Sequence, residues 1–233
     1  MDIKLSKRMQ AVADMVMEKK VVDIGCDHAF VSIYLAQKPG VEAVIAMDVK
    51  KGPVDIARAN VASHNLTHKI DVRMSNGFDA LKEGEAQTAV IAGMGGYLMI
   101  DILKAGYKHL DDGIKLVLQP QSDIDVVRKY LTKVGYDIIQ EEMLIDDGKY
   151  YTIIRAEKLE GGQINYSEDQ YCYGPVLLNG KHPVLKEYLE LSRAKNNELI
   201  EKLSVMGTEK AQDRITQLKS AIEDIDRVLQ EFY

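Results

Sequence analysis

The 233-residue chain lacks most of the signals that would assign a function at once. Its two cysteines, Cys26 and Cys172, are far apart and match no metal-ligand spacing, so no metal is expected and both thiols are read as reduced. No apolar run is long enough to cross a bilayer, and residues 1–20 are too charged for a signal peptide. The expectation is a cytoplasmic protein with no membrane partner. Excess positive charge is also missing: the net charge is −6, so a nucleic-acid partner would have to be met by a local patch. Repeats and low-complexity tracts are absent. So is the dinucleotide-binding pattern G-x-G-x-x-G. Residues 21–30 read V-V-D-I-G-C-D-H-A-F, with Asp27 where the second glycine would stand. A carboxylate aimed at a pyrophosphate repels it, which argues against NAD or FAD and is compatible with a cationic ligand such as a sulfonium.

What is present is a soluble, globular composition, 46% hydrophobic and 28% charged, in a chain long enough for one large domain and an appendage. Residues 5–20 read as a helix, locally basic through Lys4, Lys7, Arg8, Lys19 and Lys20. From there strands and helices alternate. Strands are expected at 21–24, 41–47, 70–74, 88–92 and 114–118, with helices at 29–37, 53–64, 97–104 and 123–134. Two further strands at 136–143 and 150–157 are joined by Asp146-Asp147-Gly148, a hairpin signal. Near-continuously apolar strands alternating with helices predict an α/β fold, a parallel sheet covered on both faces. The closing antiparallel hairpin makes it a Rossmann-like, seven-stranded methyltransferase sheet. A domain boundary is placed near Gly161, giving 1–160 as the catalytic domain. Within 161–233, helices over 184–203 and 209–232 form an antiparallel hairpin of coiled-coil character, its charges mixed in sign.

In such a sheet ligands bind beyond the carboxyl ends of the strands. Asp23, Gly25, Asp27 and His28 follow the first strand. Asp48 ends the second, where an acidic residue can take both ribose hydroxyls. Asn76, Gly77 and Phe78 follow the third, offering an amide to an adenine edge and a ring to cover it. Gly93, Met94, Gly95 and Gly96 follow the fourth, beside the expected reacting methyl. Four such groups at successive strand ends point to an S-adenosylmethionine (SAM) site. Asp27 also reads as the N-cap of the next helix, and His28 as a structural histidine. Tyr150 and Tyr151 read as strand packing.

The loop at 21–30 resembles motif I of class I SAM methyltransferases. The chain as a whole resembles the bacterial tRNA adenine N1-methyltransferases that modify position 22, the TrmK family. The resemblance rests on L-S-K-R-M at 5–9, D-I-G-C-D-H-A-F at 23–30, Lys51-Gly52-Pro53, the Asn76-Gly77 turn, A-G-M-G-G at 92–96 and the terminal helical hairpin. Members often carry Glu where Asp48 stands and Asp-Gly where Asn76-Gly77 stands; both changes keep hydrogen-bonding capacity. The resemblance implies methyl transfer from SAM to N1 of a tRNA adenine; the chain is separately expected to act as a monomer. Asp27 would stabilise the positive charge that the adenine gains, His28 would orient the base, and Gly93, Met94 and Gly95 would hold it by backbone groups. The aromatic N/D-P-P-Y/F clamp of N6-adenine enzymes is absent, and Tyr97 is the only aromatic nearby. Two alternatives stay open: a SAM methyltransferase of a small molecule or protein, and a non-catalytic SAM- or RNA-binding module. Because every candidate SAM residue precedes Gly96, the helical hairpin is assigned to RNA docking.

Overall fold

The computed structural model describes residues 3–233; Met1 and Asp2, inside the first predicted domain, lie outside the described residues. Seven strands form one sheet: β1 (Lys20–Ile24), β2 (Ala43–Asp48), β3 (Ile70–Met74), β4 (Thr88–Met94), β5 (Lys115–Pro120), β6 (Tyr136–Asp146) and β7 (Lys149–Lys158). Their order is β3-β2-β1-β4-β5-β7-β6. The first five strands run parallel, while β7 is antiparallel to both β5 and β6. Strand order reverses between β1 and β4, which opens a crevice at their carboxyl ends.

Alternate residues of each central strand face opposite layers, so both faces must be apolar. Val21, Val44, Val90 and Val117 pack under α1 (Lys7–Asp14), α2 (Phe30–Gln37) and α3 (Lys51–Ser63). Val22, Ile45, Ile91 and Leu116 pack under α4 (Gly96–Ala105), α5 (Tyr107–Asp111) and α6 (Ile124–Lys133). The side chains that matter for the site leave this core at the strand tips.

Helix α1 is shorter than the predicted span of 5–20. Ser6 caps its start, accepting from the Met9 N–H at 3.3 Å. Its end is fixed by cations that take the last carbonyls: Lys38 Nζ donates to Ala13 O at 2.8 Å and Arg155 Nη1 to Met15 O at 2.7 Å. Past that point the chain needs no helix. Lys19 pairs with Glu42, and Lys20 opens β1.

After β7 come two short helices, α7 (Glu168–Tyr173) and α8 (Pro175–Asn179), which the sequence pattern did not predict. The hairpin of α9 (Pro183–Ser204) and α10 (Glu209–Phe232) follows as predicted. Its base packs on β6 through Met143, Leu177, Leu178, Leu185, Leu189, Ile225 and Val228. One buried ion pair rivets this segment to the sheet domain. Arg128 Nε meets Glu141 Oε1 at 2.8 Å, with the two side chains 2% and 0% exposed. The spare donors of Arg128 go to the carbonyls of Tyr171 and Cys172, and Glu141 Oε2 accepts the N–H of Val176 at 3.0 Å. Burial pushes the Glu141 carboxyl upward and Arg128 opposes it. Among the described residues no helix is long and apolar enough to cross a membrane.

Candidate active site at the carboxyl edge of the sheet

A cleft of about 710 Å³ opens at the strand tips, within the size range of small-molecule sites. Its lining includes Asp23, Gly25, Asp27, His28, Asp48, Asn76, Gly77, Gly93 and Met94, so nine of the predicted site residues meet in one place. Gly95 and Phe78 do not line it.

The β1 loop is tightly folded. The N–H groups of Gly25 and Cys26 both donate to Met47 O, at 2.8 and 2.9 Å. Gly25 has φ +76, and a Cβ there would lie 2.2 Å from Met94 Cε. The floor of the cleft is therefore bare backbone with a thioether beside it. Asp27 and Ala29 follow at φ +49 and +61. The residue that caps α2 is Ala29, which offers no side-chain hydrogen bond. The capping reading of Asp27 is thus wrong, because the left-handed turn carries its carboxylate away from the helix end. That carboxylate is 71% exposed, with His28 Nε2 at 3.7 Å. His28 lies edge-on to Phe30, and its carbonyl accepts from Asn60 Nδ2 at 2.9 Å. Asp23 sits beneath the loop, buried, accepting from Ser32 Oγ at 2.6 Å. Burial, helped by the nearby Asp48, raises its pKa to about 6.

At the tip of β2, Asp48 ties two loops together. Its Oδ2 accepts the N–H of Asp27 at 3.2 Å and its Oδ1 the N–H of Lys50 at 3.0 Å. Each carboxylate oxygen can accept about two hydrogen bonds, so each keeps one site free for a ligand hydroxyl. At β3, Ser75 holds the Asn76-Gly77 turn, donating to Gly77 O and accepting from Ala80 N–H. Phe78 corrects the prediction. It is 3% exposed, stacks on His109 at 5.3 Å between centroids, and fills the space that Gly106 leaves by having no Cβ. Apolar side chains that do line the cleft include Phe30, Val49, Pro53, Leu98 and Ile102.

At β4, Gly93 has φ +78 and donates its N–H to Gln119 Oε1 at 3.2 Å. Met94 O accepts from Gln121 N–H at 2.8 Å, Gly95 is the N-cap of α4, and Tyr97 is exposed. Sequence reasoning missed the wall that the N-terminal segment supplies. Lys4, Leu5, Arg8 and Met9 line the cleft, and Arg8 Nη1 donates to Gln119 Oε1 at 2.6 Å. Tyr151, read as packing, lies under the Arg8 guanidinium at 4.9 Å. The signals for Arg8 were its place in a basic segment and in the L-S-K-R-M stretch of the family resemblance, and Gln119 carried none. Among the described residues no group of three or more His, Cys, Asp or Glu side chains is placed to hold a metal ion.

Residues 21–227 match the family described as TrmK, tRNA (adenine(22)-N(1))-methyltransferase. The Bacillus subtilis tRNA (adenine(22)-N(1))-methyltransferase is 31% identical over 236 residues, covering 98% of this chain and 98% of that one. The crystal structure of the B. subtilis m1A22 tRNA methyltransferase TrmK matches with a TM-score of 0.82 at 31% identity, over 97% of this chain and 99% of that one. A Streptococcus pneumoniae protein solved in complex with S-adenosyl-L-methionine matches with a TM-score of 0.79 at 32% identity, over 94% and 100% of the two chains. A sheet ordered β3-β2-β1-β4-β5-β7-β6, a cleft at its switch point and likeness along nearly the whole length agree: the chain belongs to the TrmK family of tRNA (adenine(22)-N(1))-methyltransferases.

Proposed function

We propose that this chain methylates N1 of adenine 22 in tRNA with SAM as donor, acting as a monomer in the cytoplasm. Residues 1–160 carry the chemistry and residues 161–233 form the arm. The observation that carries the site assignment is Asp48, whose two oxygens are aimed by backbone N–H groups and each keep a free acceptor site for a ribose hydroxyl. The bare backbone of Gly25 lets a bulky ligand lie against the loop. Asn76 offers its amide to an adenine edge, and Val49 and Leu98 offer apolar cover.

Bound SAM supplies an electrophilic methyl on a positively charged sulfur. Neutral adenine N1 has a lone pair, so the chain needs no general base and its task is alignment. Gly93 and Met94 are held by the Gln119 amide and the Gln121 N–H, which fixes the backbone beside the reacting centre. The exposed carboxylate of Asp27 faces the cleft and stabilises positive charge building on the adenine ring. His28 orients the base. The target adenine must leave its stack to reach this edge.

The test is transfer of labelled methyl from SAM into unmodified tRNA transcripts with adenine or guanine at position 22. Label is expected only with adenine there, at N1. Equal labelling of both transcripts, or none with either, would overturn the reading.

A further inference from the structure

Arg8 presents its guanidinium to the cleft with no carboxylate in ion-pair contact among the described residues. Its guanidinium has five N–H donors, and the partner that holds it, Gln119, is a neutral amide. Gln119 is fully buried at the tip of β5, and its Oε1 receives both Arg8 Nη1 and the N–H of Gly93. Its own Nε2 donates to Pro120 O at 2.9 Å, which fixes the amide orientation. Tyr151 supports the guanidinium face. Arg8 makes no ion pair among the described residues. The carboxylate of Asp146 accepts the backbone N–H of Arg8 at 3.1 Å, and Ser6 also bonds to it. A half-buried arginine is ordinarily neutralised by a carboxylate, because desolvating a charge is costly. Here a neutral amide and an aromatic ring orient the guanidinium, and the Asp146 carboxylate acts on its charge without an ion-pair contact, so the N–H fork keeps donors for a ligand. Nη1 lies 3.6 Å from where a Cβ on Gly93 would stand, so that charge borders the β4 loop.

We infer that Arg8 is an anion receptor in the wall of the cleft, positioned by Gln119 and Tyr151, for an oxyanion group that enters beside Gly93. The inference rests on the methyltransferase reading for its ligands. Two of them carry such a group: the carboxylate of the SAM amino-acid tail and a phosphate of the RNA backbone. A planar fork of N–H donors suits either.

The test uses the full chain with Arg8→Met, which keeps the stem over Tyr151, and Arg8→Lys, which keeps charge but loses the fork. SAM affinity is measured by calorimetry, and affinity for unmodified tRNA is measured over a range of salt. Arg8→Met is expected to weaken one ligand by ~10-fold or more, with Arg8→Lys recovering part of the loss. Weaker SAM with an unchanged salt slope identifies the carboxylate. Unchanged SAM with weaker tRNA and a slope shallower by about 1 identifies the phosphate. Should Arg8→Met fail to fold, Arg8→Gln, which removes the charge but keeps an N–H donor, replaces it, and the same loss is expected. Unaltered affinities in the folded variants, or equal defects in Met and Lys, would refute the receptor. Wild type that binds SAM and methylates tRNA while the variants match it sinks Arg8 alone; wild type that does neither sinks the reading beneath it.

Discussion

The carboxyl edge of the sheet and the C-terminal hairpin differ in the balance of their charges and in their backbone. Between Pro183 and Tyr233 the chain carries eight lysines and arginines against ten aspartates and glutamates. Several are satisfied locally: Arg193 by Asp226, Lys202 by Glu198, and Arg227 by Asp169 and Asp224. At the edge, Lys4, Arg8 and Lys50 line the cleft and make no ion pairs among the described residues. The backbone differs too. The edge holds Gly25, Asp27, Ala29 and Gly93 at positive φ, whereas both helices of the arm are regular. Among the described residues Lys186, Lys195, Lys210, Arg214 and Lys219 of the arm make no ion pair either. Open cations alone therefore do not set the two regions apart; the arm's excess of acid and its regular backbone do. The arm's net charge gives no support to the RNA-docking role that its position in the sequence suggested, and its unpaired lysines are the only part of it that could meet phosphates.

The largest effect expected from breaking this contrast is at the rivet. Glu141→Ala leaves Arg128 buried without its counter-charge, at a cost of about 3–5 kcal/mol in urea unfolding. An unchanged midpoint would mean that the pair does not secure the arm. The same rivet explains why a cut after Lys158 is a poor test of the arm: it would strip the cover from Glu141 and expose Met143.

Next is Asp27→Asn. Asparagine tolerates the left-handed backbone, so the fold and SAM affinity should hold while single-turnover methylation falls ~10²-fold. With the capping role excluded by Ala29, a near-wild-type rate leaves Asp27 without a catalytic function. The smallest effect sharpens the comparison from the other side. Exchanging Lys195, Lys210 and Lys219 on the arm for Gln should leave both tRNA affinity and its salt slope as they were. A slope shallower by about 1 per lysine would instead make the arm a phosphate track.

Most of the fold was legible because it rests on period and punctuation. Apolar strands, alternating helices and the Asp146-Asp147-Gly148 turn gave the seven strands and the final hairpin. Strand-end Asp48, Gly25 and Gly93 were readable because few other residues suit a turn or a carboxylate anchor there. Phe78 was misplaced for a definite reason. A large apolar residue just past a strand tip can face the cleft or the core, and here the missing side chain of Gly106, a tertiary feature, decides for the core. The start of α2 was misread because an alanine in a left-handed conformation has no sequence signature. Arg8 and Gln119 lie 111 positions apart, and no local pattern joins an exposed-looking helix to a strand tip.

The contact between Gly25 and Met94 makes two distant positions share one small volume. The methionine's terminal methyl occupies the space that any side chain at position 25 would enter. Shortening residue 94 would clear that space, yet the backbone at 25 would still sit at φ +76, where only glycine is at ease. As far as this contact goes, a change at 94 asks nothing new of 25, but 25 has no such freedom whatever stands at 94. Constraint between the two loops runs in one direction: the backbone at 25 demands glycine by itself, and the methyl at 94 only adds to that demand.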